Sequence, residues 1–310
     1  MSWQPSASFN NIRARAAMLA KIRQFFAERN VLEVETPLVC DSTVTDPYIE
    51  SLQLTSGDYL QTSPEYAMKR LLAAGIGDCY QICKAFREDE SGLRHNPEFT
   101  LLEWYRVGFS LDALMDEVGT LVNLFLPNKK VEKLTYQEAF ERTLGFDPLA
   151  ISLNDLKAKA SQHIQLEMPD GTLDDWLNAL ISLVIEPTLG KEGLTFIYQY
   201  PPSQAALAKL TKNDRTQSVA ARFELYYQGI ELANGFDELT DQPSQAERFA
   251  KDNDERQQRG QKRIPIDQAF LTSLAQLPDC SGVALGLDRL LMLNTQSPSI
   301  QDVLTFPDRQ

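Results

Sequence analysis

Between Gly282 and Met292 the chain reads Gly-Val-Ala-Leu-Gly-Leu-Asp-Arg-Leu-Leu-Met, a strand of small and apolar residues that turns at Gly286 into an apolar helix carrying one fixed arginine, Arg289. Two runs upstream belong with it: Phe86-Arg87-Glu88-Asp89 and Arg94-His95-Asn96-Pro97-Glu98-Phe99. Together they supply two arginines, an aromatic ring and several carboxylates. Asn96-Pro97 interrupts any regular element, so 89–97 reads as a loop between antiparallel strands, the second over 99–105.

The remaining pattern is that of an α+β chain. Ile12, Ala16, Leu19, Ile22 and Phe26 repeat at helical spacing, predicting a helix over 11–29 with Asn30 as a left-handed stop. Val31-Leu32-Glu33-Val34-Glu35-Thr36-Pro37 alternates like a strand closed by proline. Short strands are expected at 51–54 and 59–62, a helix at 65–73 and a strand at 79–86. Residues 111–190 read as helical, with a capping box at Thr135 and Glu138 and an apolar stripe through Leu173, Trp176, Leu177, Leu180, Ile181 and Val184. That stripe reads as packing without chemistry, and His163 as a surface residue. Strands resume at 195–200, 219–228 and 230–233, Gly229 making the turn. A charged surface helix enters at Pro243, and Asp267 caps a further one. Helices and antiparallel strands without a steady βαβ rhythm, repeat or linker predict one domain over 1–310.

Composition narrows the class. A chain of 310 residues, 43% hydrophobic and 24% charged, can bury a sizeable core. It has neither a long apolar run nor a leader-like N-terminus, which points to the cytosol. The net charge of −13 opposes binding a polyanion such as tRNA. Cys40, Cys79, Cys83 and Cys280 do not complete a zinc pattern and read as free, mostly buried thiols.

Phe86–Asp89, Arg94–Phe99 and Gly286-Leu287-Asp288-Arg289, in this order, resemble the nucleotide site of class II aminoacyl-tRNA synthetases, and Glu231-Leu232-Ala233-Asn234-Gly235-Phe236-Asp237-Glu238-Leu239 resembles the signature of their lysine branch. The resemblance implies an antiparallel sheet flanked by helices, ATP as substrate with Mg2+, and a homodimer built on the first helix, strand and Pro37. It implies that Arg87 meets the substrate carboxylate and α-phosphate, that Phe99 and Arg289 enclose adenine, and that Asp89, His95, Asn96 and Gly286 line the ATP site. Glu224 and Glu231, flanking Gly229, become the metal and ATP carboxylates, a reading that hard oxygen ligands favour. A cationic amino acid demands buried anions. Glu65 is assigned to the amino group at the reacting end and Tyr105 and Glu238 to a distal ammonium, helped by Glu103 and Asn234, with Phe236 as wall.

Three departures point to a paralogue of the lysyl-tRNA synthetases. Only about ten residues precede the first helix, leaving no room for an anticodon-binding domain; Ser63 stands where the tRNA enzymes usually carry alanine; and Ala284 stands where they usually carry glycine. All three resemble the elongation factor P–lysine ligase family, which joins (R)-β-lysine to a lysine of that factor. Asp89 replaces the usual glutamate of the arginine motif, between Glu88 and Glu90. A compact α-lysine transferase with another acceptor and a non-catalytic regulatory paralogue remain open; retention of Arg87, Arg289, Glu224 and Glu231 weighs against the latter.

Overall fold

Helix α1 (Phe9–Ala27) starts where the Ser8 side chain accepts the Asn11 amide at 3.1 Å, and stops before Asn30, whose φ of 55° is left-handed. The computed structural model describes residues 3–88 and 91–307. The buried face of α1 runs through Met18, Ile22, Phe25 and Phe26, while Ala16 is exposed, so the stripe is rotated from the one the spacing suggests.

Strand β1 is only Leu32–Glu33, followed by β2 (Val39–Cys40), β3 (Tyr59–Leu60), α2 (Glu65–Ala73), β4 (Cys79–Phe86) and β5 (Glu98–Val107). The alternating 31–37 run thus forms a two-residue edge strand, pairing parallel with β4 at Cys79 and Tyr80, before Pro37 ends it. Of 51–54, only Gln53 makes a bridge, to Tyr59. The segment 111–190 contains α3 (Leu111–Asn123), α4 (Tyr136–Leu144), α5 (Leu153–Ala160) and α6 (Leu173–Leu180), but also a strand, β6 (Val131–Thr135). The capping box of Thr135 and Glu138 forms as expected. Strand β6 pairs parallel with β7 (Leu194–Tyr200), so its pattern is completed by a distant partner rather than by its own neighbours.

Then come β8 (Leu210–Lys212), β9 (Ser218–Tyr227), β10 (Ile230–Asp237), α7 (Gln242–Gln258), α8 (Gln268–Ser273), β11 (Cys280–Gly286) and α9 (Leu287–Asn294). Gln228 and Gly229, with φ of 52° and 69°, make the two-residue turn between β9 and β10. The nine-stranded sheet runs β1-β4-β5-β11-β10-β9-β7-β6, with β8 beside β9; its centre is antiparallel, and the β1·β4 and β6·β7 pairs at its edges are parallel. The sheet is therefore mixed rather than antiparallel throughout.

Register turns this sheet into a core face and a site face. Leu102, Trp104, Val283, Leu285, Phe223 and Leu225 join Phe26 of α1, Val118 of α3 and Leu290 of α9 in the main core. Alternation sends the intervening residues to the opposite face. There Glu103, Ala284, Asn234 and Glu224 form one cross-strand row, and Tyr105, Gly282, Phe236 and Arg222 the next. Among the described residues no helix is long and apolar enough to cross a membrane. Cys79 and Cys280 are buried, Cys40 and Cys83 half-buried, and all are free thiols.

Candidate active site

The two rows form the floor of a cavity of about 570 Å³ that also takes in Ser63, Glu65, Arg87, His95, Asn96, Phe99, Glu231, Gly286 and Arg289. Every site residue expected from sequence lies on it except Asp89, which lies outside the described residues.

At one end, carboxylates crowd. Glu103 is 2% exposed and accepts the Ser63 hydroxyl at 2.8 Å and the Tyr105 hydroxyl at 2.7 Å. Ser63 Oγ also accepts the Glu65 amide at 3.0 Å, so this hydroxyl orients Glu103 and closes the first turn of α2, where Pro64 offers no side-chain cap. Burial and then the neighbouring Glu65 charge push the Glu103 carboxyl up to about 7. Burial likewise pushes Glu238 up to about 8, against the pull of Lys69. A side chain at Gly282 would stand 2.3 Å from the Tyr105 ring, so only glycine admits Tyr105 here.

At the other end, the Arg87 guanidinium stands 5.1 Å from the centre of the Phe99 ring. Arg289 Nη1 donates to the Glu231 carbonyl at 2.9 Å, and Nη2 lies 2.6 Å from His95 Nε2. Its neighbour Asp288 is buried and accepts the Thr100 amide at 2.7 Å and Arg15 at 2.5 Å, locking α9 onto β5 and so fixing Arg289. Glu224 accepts the Tyr200 hydroxyl at 2.6 Å, and Tyr226 and Arg222 also bond it. The Glu231 carboxyl is raised by burial and then by Glu224, with Arg289 and Arg87 opposing.

Three contributions escaped the sequence. Arg222, half-buried beside Asn234, donates to Asn234 Oδ1 at 3.2 Å and to the Gln204 carbonyl at 2.9 Å. Glu186 lines the same cavity, its carboxyl pushed up to about 7 by burial and then by Glu224 and Glu231, which corrects the reading of 111–190 as packing alone. Helix α7 is amphipathic rather than only a surface helix: Gln245, Phe249, Asn253 and Arg256 are buried. It holds the 43–50 segment over the cavity through Thr45 to Asp252 at 2.6 Å and Arg256 to Glu50 at 3.0 Å. No motif marks these residues, because their role depends on which strands and loops meet. His163 is exposed, as expected.

A pocket of buried anions opening on two arginines and an aromatic ring, laid across four neighbouring strands, is the arrangement of an amino-acid-activating enzyme. The chain matches the model of class II tRNA synthetases (D, K and N) over residues 1–310 and belongs to that family, which uses ATP as substrate. It is 48% identical over 316 residues to the elongation factor P–(R)-β-lysine ligase of Pseudoalteromonas translucida (strain TAC 125), covering 98% of this chain and 97% of that one. Ligases of the same name from Salmonella dublin and Salmonella paratyphi C are each 49% identical over 317 residues, with the same coverage.

Proposed function

We propose that this chain is an ATP-dependent ligase that activates (R)-β-lysine as its adenylate and joins it to a lysine side chain of elongation factor P. The observation that carries this is the carboxylate pocket of Glu65, Glu103 and Glu238 opening on Arg87 within one cavity. An amino acid with two ammonium groups finds its counter-charges there, and its carboxylate faces Arg87. That carboxylate attacks the α-phosphorus, displacing pyrophosphate, and Arg87 meets the charge that develops. Phe99 and Arg289 bracket adenine, while His95, Asn96 and Gly286 border the nucleotide. Glu224 and Glu231 would hold Mg2+, whose hard oxygen preference suits two carboxylates and phosphate oxygens. An ε-amine of the factor then attacks the adenylate carbonyl; an amide forms, AMP leaves, and the amine proton is released.

Preference for the β-isomer rests on Ser63 and Ala284. Ser63 acts by orienting Glu103, and Ala284 sits between Glu103 and Asn234 in the row beneath the substrate. We expect amino-acid-dependent pyrophosphate exchange to favour (R)-β-lysine over α-lysine, and Ser63→Ala with Ala284→Gly to narrow the gap. Mixing enzyme, ATP, β-lysine and the factor, then weighing the intact factor, tests the transfer. Label on tRNA with none on the factor would overturn the assignment while sparing the ATP site.

We read the chain as one catalytic domain acting in the cytosol as a homodimer. Leu32, Leu38, Val39 and Ile76 are 39–51% exposed beside the β1 edge, an apolar area suited to a second copy. Light scattering should give twice the 35.0 kDa chain mass; a concentration-independent monomer would refute the dimer.

A further inference from the structure

Lys69 lies one turn after Glu65 on α2, its side chain 1% exposed, with Nζ 2.5 Å from Glu65 Oε1 and 2.5 Å from Glu238 Oε2. A buried ammonium is retained only by partners that repay its desolvation. Burial acts to lower the Lys69 pKa, but Glu238 and Glu65 raise it further, so the group stays charged. Each of these glutamates thus gives one oxygen to Lys69 and keeps the other. Glu238 Oε1 points to the floor, where a side chain on Gly282 would stand 2.6 Å from it. Glu103, by contrast, has one oxygen on Ser63 and the other on Tyr105. With all three carboxylates ionised, the state that bound ammonium groups favour, one lysine leaves two formal negative charges, the number of ammonium groups on a diamino acid.

We propose that Lys69 is a positioning and specificity-determining residue: it bridges Glu65 and Glu238 so that one oxygen of each faces one substrate ammonium, at a spacing that a monoamino acid cannot satisfy. This rests on the amino-acid reading given under Proposed function. Without Lys69, Glu65 and Glu238 are like charges across the same gap, and they either share a proton or turn apart. Glu103 and Tyr105 face them from β5 and the Cys280 thiol from β11, the last pushed up to about 12 by burial and then by Glu238; the Phe270 ring of α8 lies 6.0 Å from Nζ. None of these can replace the missing cation.

The test is pyrophosphate exchange by Lys69→Met and Lys69→Gln in the full chain, with (R)-β-lysine, α-lysine and 3-aminohexanoic acid, which lacks the distal ammonium. We expect the KM for β-lysine to rise at least about tenfold with the KM for ATP unchanged, and selectivity over 3-aminohexanoic acid to fall at least about tenfold. The pH profile of the β-lysine KM should also change, because the variant must lose a shared carboxylate proton before both ammonium groups can bind. If the single variants do not fold, Lys69→Arg keeps the buried cation but changes its reach, and a fall in selectivity over 3-aminohexanoic acid with the KM for ATP unchanged is expected in it. Wild-type KM and selectivity in a folded variant, with only a lower Tm, would make Lys69 merely structural and overturn the proposal. Absence of exchange with either lysine isomer in the wild type would instead overturn the functional reading, and this one with it.

Discussion

Arg87→Ala is expected to lower pyrophosphate exchange by about 10²–10³-fold or more, the range found when a donor to transition-state charge is removed. The fold should survive, because the Arg87 backbone amide, which the substitution leaves in place, donates to the Pro97 carbonyl at 3.0 Å. The loss should appear in turnover as well as in kcat/KM, since the interaction strengthens as the phosphorus becomes five-coordinate. Glu238→Gln should act chiefly on the amino-acid KM. Near-normal exchange by a folded Arg87→Ala variant would show that this arginine does not meet the α-phosphate.

Gly282→Ala should be nearly as damaging for a different reason. The added carbon would lie 2.3 and 2.4 Å from Tyr105 ring carbons and 2.6 Å from Glu238 Oε1. Tyr105 is 2% exposed and Glu238 1%, so neither has room to move away. Overpacking of this kind costs about 1–3 kcal/mol, which for a chain of this size lowers Tm by about 2–5 °C. The displaced Tyr105 and Glu238 should also cost most of the amino-acid affinity. At Gly286 the same substitution meets nothing closer than 3.8 Å, so the stability of Gly286→Ala should stay near wild type. Equal Tm for Gly282→Ala and the wild type would mean that β11 does not approach Tyr105 this closely.

That the residues expected at the nucleotide would share one cavity was legible because the chemistry expected of them needs unusual residues at fixed short spacings. Arg87, His95, Asn96, Phe99 and Arg289 lie in contiguous motifs, and the cavity brings all of them together. The central strands were legible for the same reason that they work: alternation in β5 and β11 separates core residues such as Leu102 and Val283 from site residues such as Glu103 and Ala284. What escaped depends on distant partners. Strand β6 exists because β7 lies beside it, 63 positions later, at the pair Val131 and Leu194. Glu186 reads as an ordinary glutamate before a proline until folding sets it beside Glu224 and Glu231. Lys69 looks like a surface lysine four residues after a glutamate, and only the arrival of Glu238, just past the end of β10, makes it a bridge.

The place of β11 carries a consequence for how the enzyme comes into being. It is the last strand in chain order, yet it lies in the middle of the sheet, between β5 and β10. Without it the strands made earlier divide into β1-β4-β5 and β10-β9-β7-β6, whose facing edges have no partner in the sheet until β11 pairs with both. Insertion of Cys280–Gly286 joins them, and the same seven residues bring Gly282 under Tyr105 and lead into α9, which sets Arg289 on the cavity. Closure of the sheet and closure of the cavity therefore depend on the same strand.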